Sequence, residues 1–146
     1  MAVRIVSRQP LTKGWSTDQK YKVELEDGRF GLLRIAERSA IEVKKVEFQL
    51  VENLFGLGLP VAEPLSCWAD DLSVYTLYEW VEGQDMNEVA SDLPDSVLYE
   101  LGCQAGKFLR ALHGLPIDQS LRDWNSFYQA KIDSKLAAYQ ALSHSY

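Results

Sequence analysis

The chain changes periodicity at Trp80. Before it, apolar residues mostly alternate with polar ones; after it they recur three and four apart, the spacing of a helix face. Tyr21, Val23 and Leu25 alternate with Lys22 and Glu24, the pattern of a half-buried strand. Asp27-Gly28 follows, a strong hairpin signal, and residues 30–35 read as the return strand. Residues 2–7 read as an earlier strand, separated from Tyr21 by a polar loop from Pro10 to Asp18. Residues 61–68 and 73–80 read as two more strands around the turn Ala69-Asp70-Asp71-Leu72. One helix interrupts the series, at about residues 38–55. Val43, Val46, Leu50 and Leu54 form its expected apolar stripe, widened by Phe48, Val51 and Phe55. Gly56, Gly58 and Pro60 stop it.

Beyond Trp80, residues 81–93 read as a linker. Val97, Leu101, Ala105, Phe108 and Leu112 then keep helical spacing until Gly114 and Pro116. A last helix is expected over about residues 122–142, with Trp124, Phe127, Tyr128, Ile132, Leu136 and Tyr139 on one side. Strands with one helix, followed by helices, define an α+β chain in two lobes. Residues 1–80 are expected to form a mostly antiparallel sheet, and residues 94–146 the helical part.

The chain has 146 residues, enough for a moderate core. Its 15 basic residues against 21 acidic ones give a net charge of −6, which argues against a nucleic-acid or anionic-membrane partner. An anionic nucleotide remains compatible, because a few local donors suffice to hold one. Cys67 and Cys103 match no zinc or redox spacing and are expected to be buried thiols in a reducing cytosol. No run is long and apolar enough to span a membrane.

The order of the polar residues carries the chemistry. A protein that holds a nucleoside triphosphate between two lobes needs four parts. These are a hairpin loop over the phosphates, a cation on the next strand, a carboxylate on a nearby helix, and an extended linker that reads the base. Gly14 and Ser16 lie between the first two strands, offering backbone freedom and a hydroxyl donor. Arg34 sits in the apolar Leu-Leu-Arg-Ile strand, where its charge needs a partner. Glu47 lies mid-helix and is expected to supply it. The Glu79 carbonyl and the Val81 amide would meet the base. Each feature alone has a plainer reading: a polar turn, an edge-strand arginine reaching solvent, a surface glutamate pairing with Lys44, an ordinary connection.

Taken together, Leu11-Thr-Lys-Gly-Trp-Ser-Thr-Asp18, Leu-Leu-Arg-Ile and Lys45-Val-Glu47-Phe resemble the small lobe of the aminoglycoside phosphotransferase / choline kinase family. Tyr75-Thr-Leu-Tyr-Glu-Trp-Val-Glu-Gly83 resembles its hinge. Leu101-Gly-Cys-Gln-Ala-Gly-Lys-Phe-Leu-Arg-Ala-Leu-His113 resembles the helix that opens its large lobe. The resemblance implies a protein-kinase-like small lobe, a five-stranded antiparallel sheet with one inserted helix, followed by the first helices of the large lobe. It also implies ATP or GTP, with Mg in the full-length parent, and a small-molecule hydroxyl as acceptor, an aminoglycoside among the candidates. Arg34 stands where protein kinases carry lysine, and Thr17 where an asparagine often follows the serine.

The family's catalytic loop carries His-Gly-Asp, with an asparagine shortly after and a metal-binding aspartate downstream. Here His113-Gly114 is followed by Leu115, and Arg122-Asp123-Trp124-Asn125 has the wrong spacing. The expectation is a cytoplasmic fragment that binds nucleotide and is inactive alone. The rival expectation is a non-catalytic binding or dimerisation module, a homodimer through the exposed lobe face. A third is a generic α+β domain.

Overall fold

The computed structural model describes residues 3–14, 16–115 and 124–143. Its elements run β1 (Ile5–Leu11), β2 (Gln19–Leu25), β3 (Phe30–Glu37), a 3-10 turn at Arg38–Ala40, α1 (Ile41–Gly56), β4 (Pro64–Ala69) and β5 (Ser73–Glu79). The short α2 (Met86–Val89), a second 3-10 turn (Ala90–Asp92), α3 (Asp95–His113) and α4 (Trp124–Ser143) complete the chain. The chain divides into two compact units, Met1–Leu112 and His113–Tyr146.

The first unit holds a five-stranded sheet in the order β1-β2-β3-β5-β4, antiparallel throughout. The fold is the expected α+β arrangement. The β2–β3 hairpin closes at Asp27-Gly28, where Gly28 takes φ +82°, a conformation that favours glycine. Asp27 fixes the turn by accepting from the Arg29 amide at 3.0 Å. The β4–β5 turn is an Asx turn. Asp70 Oδ1 accepts from the amides of Leu72 and Ser73, and Oδ2 from the Tyr75 hydroxyl at 2.7 Å. Those bonds, that from Tyr75 foremost, hold the Asp70 carboxyl below its ordinary value.

β1 differs from the expected strand. It starts at Ile5, carries an irregularity between Ile5 and Ser7, and runs on through Pro10 to Leu11. An edge strand tolerates proline, since only one side of it joins a ladder. The loop before β2 is correspondingly shorter.

Val23, Leu25, Leu33 and Leu77 form the core on one face of the sheet, with Tyr21, Ile35, Leu65 and Tyr75 packed against them. Gly31 in β3 sits opposite Val23 and Glu79, where neighbouring side chains close over its Cα. The other face carries Val74, Thr76 and Tyr78, all buried. Phe48 of α1 packs on Tyr78 there, with ring centroids 5.5 Å apart.

α1 matches the expected stripe at Phe48 and Leu54 and departs from it at Val43, Val46 and Leu50. Its buried residues are Lys44, Phe48 and Leu54, while Val43, Val46 and Leu50 are each about half exposed. Apolar residues lie on several sides of this helix, so spacing alone does not select a face. The Phe48–Tyr78 contact and the charge partners of Lys44 select it. Cys67 and Cys103 are free and half-buried. Burial raises the Cys67 thiol pKa. α2 occupies part of the expected linker, capped by Asp85, whose carboxylate accepts from the Asn87 amide at 3.0 Å.

α3 keeps its apolar spacing but has no buried residue, and Val97, Leu101 and Leu109 are exposed. In the second unit, α4 exposes Trp124, Phe127, Tyr128, Ile132, Leu136 and Tyr139, and the Trp124 ring lies 4.7 Å from that of Tyr128. Among the described residues, no helix is long and apolar enough to cross a membrane.

Candidate functional site

The site lies on the sheet face that α1 covers. β3 is the central strand, so Arg34 cannot be an edge arginine. Its cross-strand neighbours are Lys20 on β2 and Thr76 on β5. Two cations placed opposite each other repel, and a carboxylate at the end of the β1–β2 loop pairs with the arginine. Arg34 Nη2 donates to Asp18 Oδ2 at 2.6 Å. Lys44 Nζ, from α1, donates to the same oxygen at 2.9 Å and to Glu47 Oε2 at 3.1 Å.

The expected Arg34–Glu47 pair is therefore not formed directly. Asp18 is the partner of Arg34, and Glu47 belongs to Lys44. The rotation of α1 explains this, because it buries Lys44 and places that ammonium between the two carboxylates. Glu47 remains half exposed, whereas the side chains of Asp18 and Lys44 are 7% and 11% exposed.

Burial acts most strongly on the Asp18 carboxyl and pushes it up. The Lys44 hydrogen bond and the Arg34 charge together outweigh it and leave the group below its ordinary value. Lys44 is pulled down first by burial, but its bonds to Asp18 and Glu47 prevail and hold it above the ordinary lysine value. Burial likewise raises the neighbouring Tyr78 phenol, on which Arg34 and Glu47 act with opposite signs. Arg34 Nε is buried and has no hydrogen-bond partner. A buried donor left unpaired is costly, and the loop that carries Gly14 and Ser16 ends at Asp18, the partner of the same guanidinium.

The loop carries a conformation that favours glycine. Gly14 adopts φ +105°, and a Cβ there would meet Lys20 Nζ at 2.8 Å. Lys20 crosses under the loop to donate to the Lys13 carbonyl at 3.2 Å. Ser16 is exposed, and Trp15 lies outside the described residues. Lys13 pairs with Glu88 and, at 3.7 Å, with Asp85, tying the loop to α2.

At the expected hinge, the Glu79 amide donates to the Glu63 carbonyl at 2.8 Å and the Trp80 amide to Phe30 at 3.0 Å. Val81 is exposed in the extended segment that follows. Lys22 reaches over this segment. Its ammonium lies 4.5 Å from the Trp80 ring, 4.8 Å from the Phe30 ring and 3.3 Å from Glu82.

The structure thus gathers Gly14, Arg34 and Glu47 around one face and places Glu79 and Val81 at the end of β5. The plainer reading of Glu47, a helix glutamate paired with Lys44, is the one the structure bears out; sequence reasoning missed Asp18, Lys13 and Lys22 and the bond from Lys44 to Asp18. A lysine at the fourth position of an apolar helix was the available signal for Lys44.

Among the described residues, no group of three or more His, Cys, Asp and Glu side chains is arranged to hold a metal ion. Arg122 and Asp123 lie outside the described residues, while Trp124 and Asn125 begin α4.

A kinase-like sheet with an inserted helix and a cation on its central strand is the small-lobe arrangement of a phosphotransferase. The family model described as the phosphotransferase enzyme family (APH) matches residues 7–145, and the chain belongs to that family. No curated protein matches the chain significantly.

Proposed function

We propose that this chain is the nucleotide-binding N-terminal part of a phosphotransferase that moves the γ-phosphoryl group of ATP or GTP to a hydroxyl of a small molecule, aminoglycosides being one candidate class. The single observation that carries the reading is Arg34. It stands on the central strand beside a glycine-containing loop, with one guanidinium nitrogen paired and a second buried without a partner. A phosphate offers several oxygens to such a fork, in a geometry that favours bidentate pairing.

In this reading, Gly14 lets loop amides approach the phosphates and Ser16 donates its hydroxyl. Arg34 holds phosphate oxygens, and Glu47 acts on the site through Lys44. The backbone of Glu79 and Val81 meets the base. In the same reading, residues 1–80 are the nucleotide-binding lobe and residues 81–93 the hinge. Magnesium, when bound, would neutralise phosphate charge.

Turnover by the chain alone is not expected, because no His-Gly-Asp loop is present in its sequence. Calorimetry with ATP and GTP tests the binding claim. Phosphoryl transfer to an aminoglycoside panel, followed by phosphorus NMR, tests the claim of inactivity.

A second reading, a non-catalytic dimerisation module, is favoured by the exposed apolar residues of α3 and α4. A tight dimer in light scattering together with no heat from either nucleotide would favour it.

A further inference from the structure

We propose that the Asp18 carboxylate occupies the seat of a phosphate oxygen in the nucleotide-free protein, and that Lys44 is a second phosphate-binding cation, freed when phosphate displaces Asp18. The inference rests on the nucleotide-site reading above and deepens it.

The geometry is a single oxygen shared by two cations from different elements. Asp18 Oδ2 takes Arg34 Nη2 at 2.6 Å and Lys44 Nζ at 2.9 Å. An anion binding at Arg34 must therefore compete with Asp18, and Lys44 stands within reach of whatever wins. The carboxylate leaves one donor unused, because Arg34 Nε is buried and unpartnered. A tetrahedral phosphate carries more oxygens than a carboxylate and can satisfy Nη2, Nε and Lys44 together.

Charge points the same way. Arg34 and Lys44 bring two positive charges and Asp18 one negative, so the buried group keeps a surplus that Glu47, half exposed, offsets from the far side of Lys44. A more highly charged anion is the better counter-ion. Asp18 also has a route out. It ends the β1–β2 loop, and Gly14 upstream, at φ +105°, is a point where that loop can turn.

The contrary possibility is that Asp18 is a permanent strut holding the loop to β3 and α1. The two predict opposite signs. The experiment is titration calorimetry of the 146-residue chain with two probes, sodium tripolyphosphate and ADP, on wild type, Asp18→Asn, Lys44→Met and Arg34→Ala, with a thermal melt of each. The expected result is Asp18→Asn binding both probes more tightly, by about tenfold, and Lys44→Met binding both more weakly by a similar factor.

Should Asp18→Asn melt below the assay temperature, Asp18→Ser and Lys44→Met carry the test with the same opposite signs. Unchanged or weaker binding by the Asp18 variants, or unchanged binding by Lys44→Met, overturns the inference. If wild type binds and Arg34→Ala does not, the nucleotide site survives that failure. If no folded form binds either probe, both readings fall.

Discussion

Replacing Gly31 by alanine adds one methyl group at the most crowded point of the sheet. Its Cβ would lie 2.9 Å from Leu77 Cδ1, 3.1 Å from the Tyr78 carbonyl oxygen and 3.3 Å from Val23 Cγ2. Carbon atoms in contact prefer roughly 3.5–4.0 Å. Neither side chain can swing aside into solvent, since Leu77 is 0% and Val23 1% exposed. The Tyr78 oxygen is fixed by the β3–β5 pairing. Overpacking of this kind costs about 1–3 kcal/mol. Alanine recovers roughly 0.4–1 kcal/mol by restricting the unfolded chain. The net loss is then about 1–2 kcal/mol, a drop in Tm of about 3–7 °C for a chain of this size. Differential scanning calorimetry of Gly31→Ala beside wild type measures it, and Gly31→Val should fall further because its branches meet the same walls. A Gly31→Ala protein that melts at or above wild type would refute the packing described for this face. Gly28→Ala provides the contrast. No atom lies within 4 Å of its added Cβ, so its loss comes from φ +82° alone and asparagine should recover part of it.

Four further outcomes follow from the same geometry. Phe48→Ala removes the ring that seats α1 on Tyr78 and should cost about 3–5 kcal/mol in urea unfolding. Asp18 has a depressed carboxyl in the folded protein, so its contribution is present above the ordinary aspartate range and is lost as pH falls through the folded value. Unfolding midpoints taken from about pH 6 down to about pH 2 should therefore decline less steeply in Asp18→Asn than in wild type. Arg34→Ala should weaken ATP binding by at least about tenfold while Arg34→Lys loses less, measured by calorimetry. Lys13→Ala breaks exposed pairs only and should leave the melting temperature where it is, because surface ion pairs contribute little.

The sheet was legible because its signals are local. Asp27-Gly28 marks one hairpin, and alternation at Tyr21, Val23 and Leu25 marks the strand before it. The start of β1 was less legible, because an edge strand is weakly patterned and passes through Pro10. The face of α1 was not legible. Val43, Val46 and Leu50 read as a core stripe, yet Lys44 is the residue turned inward, stabilised by a carboxylate 26 positions away. That partner cannot be found from helix periodicity. The same long-range dependence explains the site. The need of Arg34 for an anion follows from its apolar neighbours, but both Asp18 and Glu47 are acidic and near enough in sequence order to serve. Only the rotation of α1 decides between them. The ties from Lys13 to α2 and from Lys22 to Glu82 join segments 60 to 75 residues apart and leave no local trace.

The strand order has a consequence for how this protein behaves when crowded or heated. β1 and β4 are the two outer strands, and each contains a proline, Pro10 and Pro64. Proline has no amide hydrogen to offer an incoming strand, and β1 adds Arg8 and other exposed polar residues beside it. The open margins of the sheet therefore resist stacking with the margins of another copy. When this chain aggregates, ribbon-like growth from the native sheet edges should be disfavoured, and fibres, if they form at all, should follow the melting of the sheet rather than precede it.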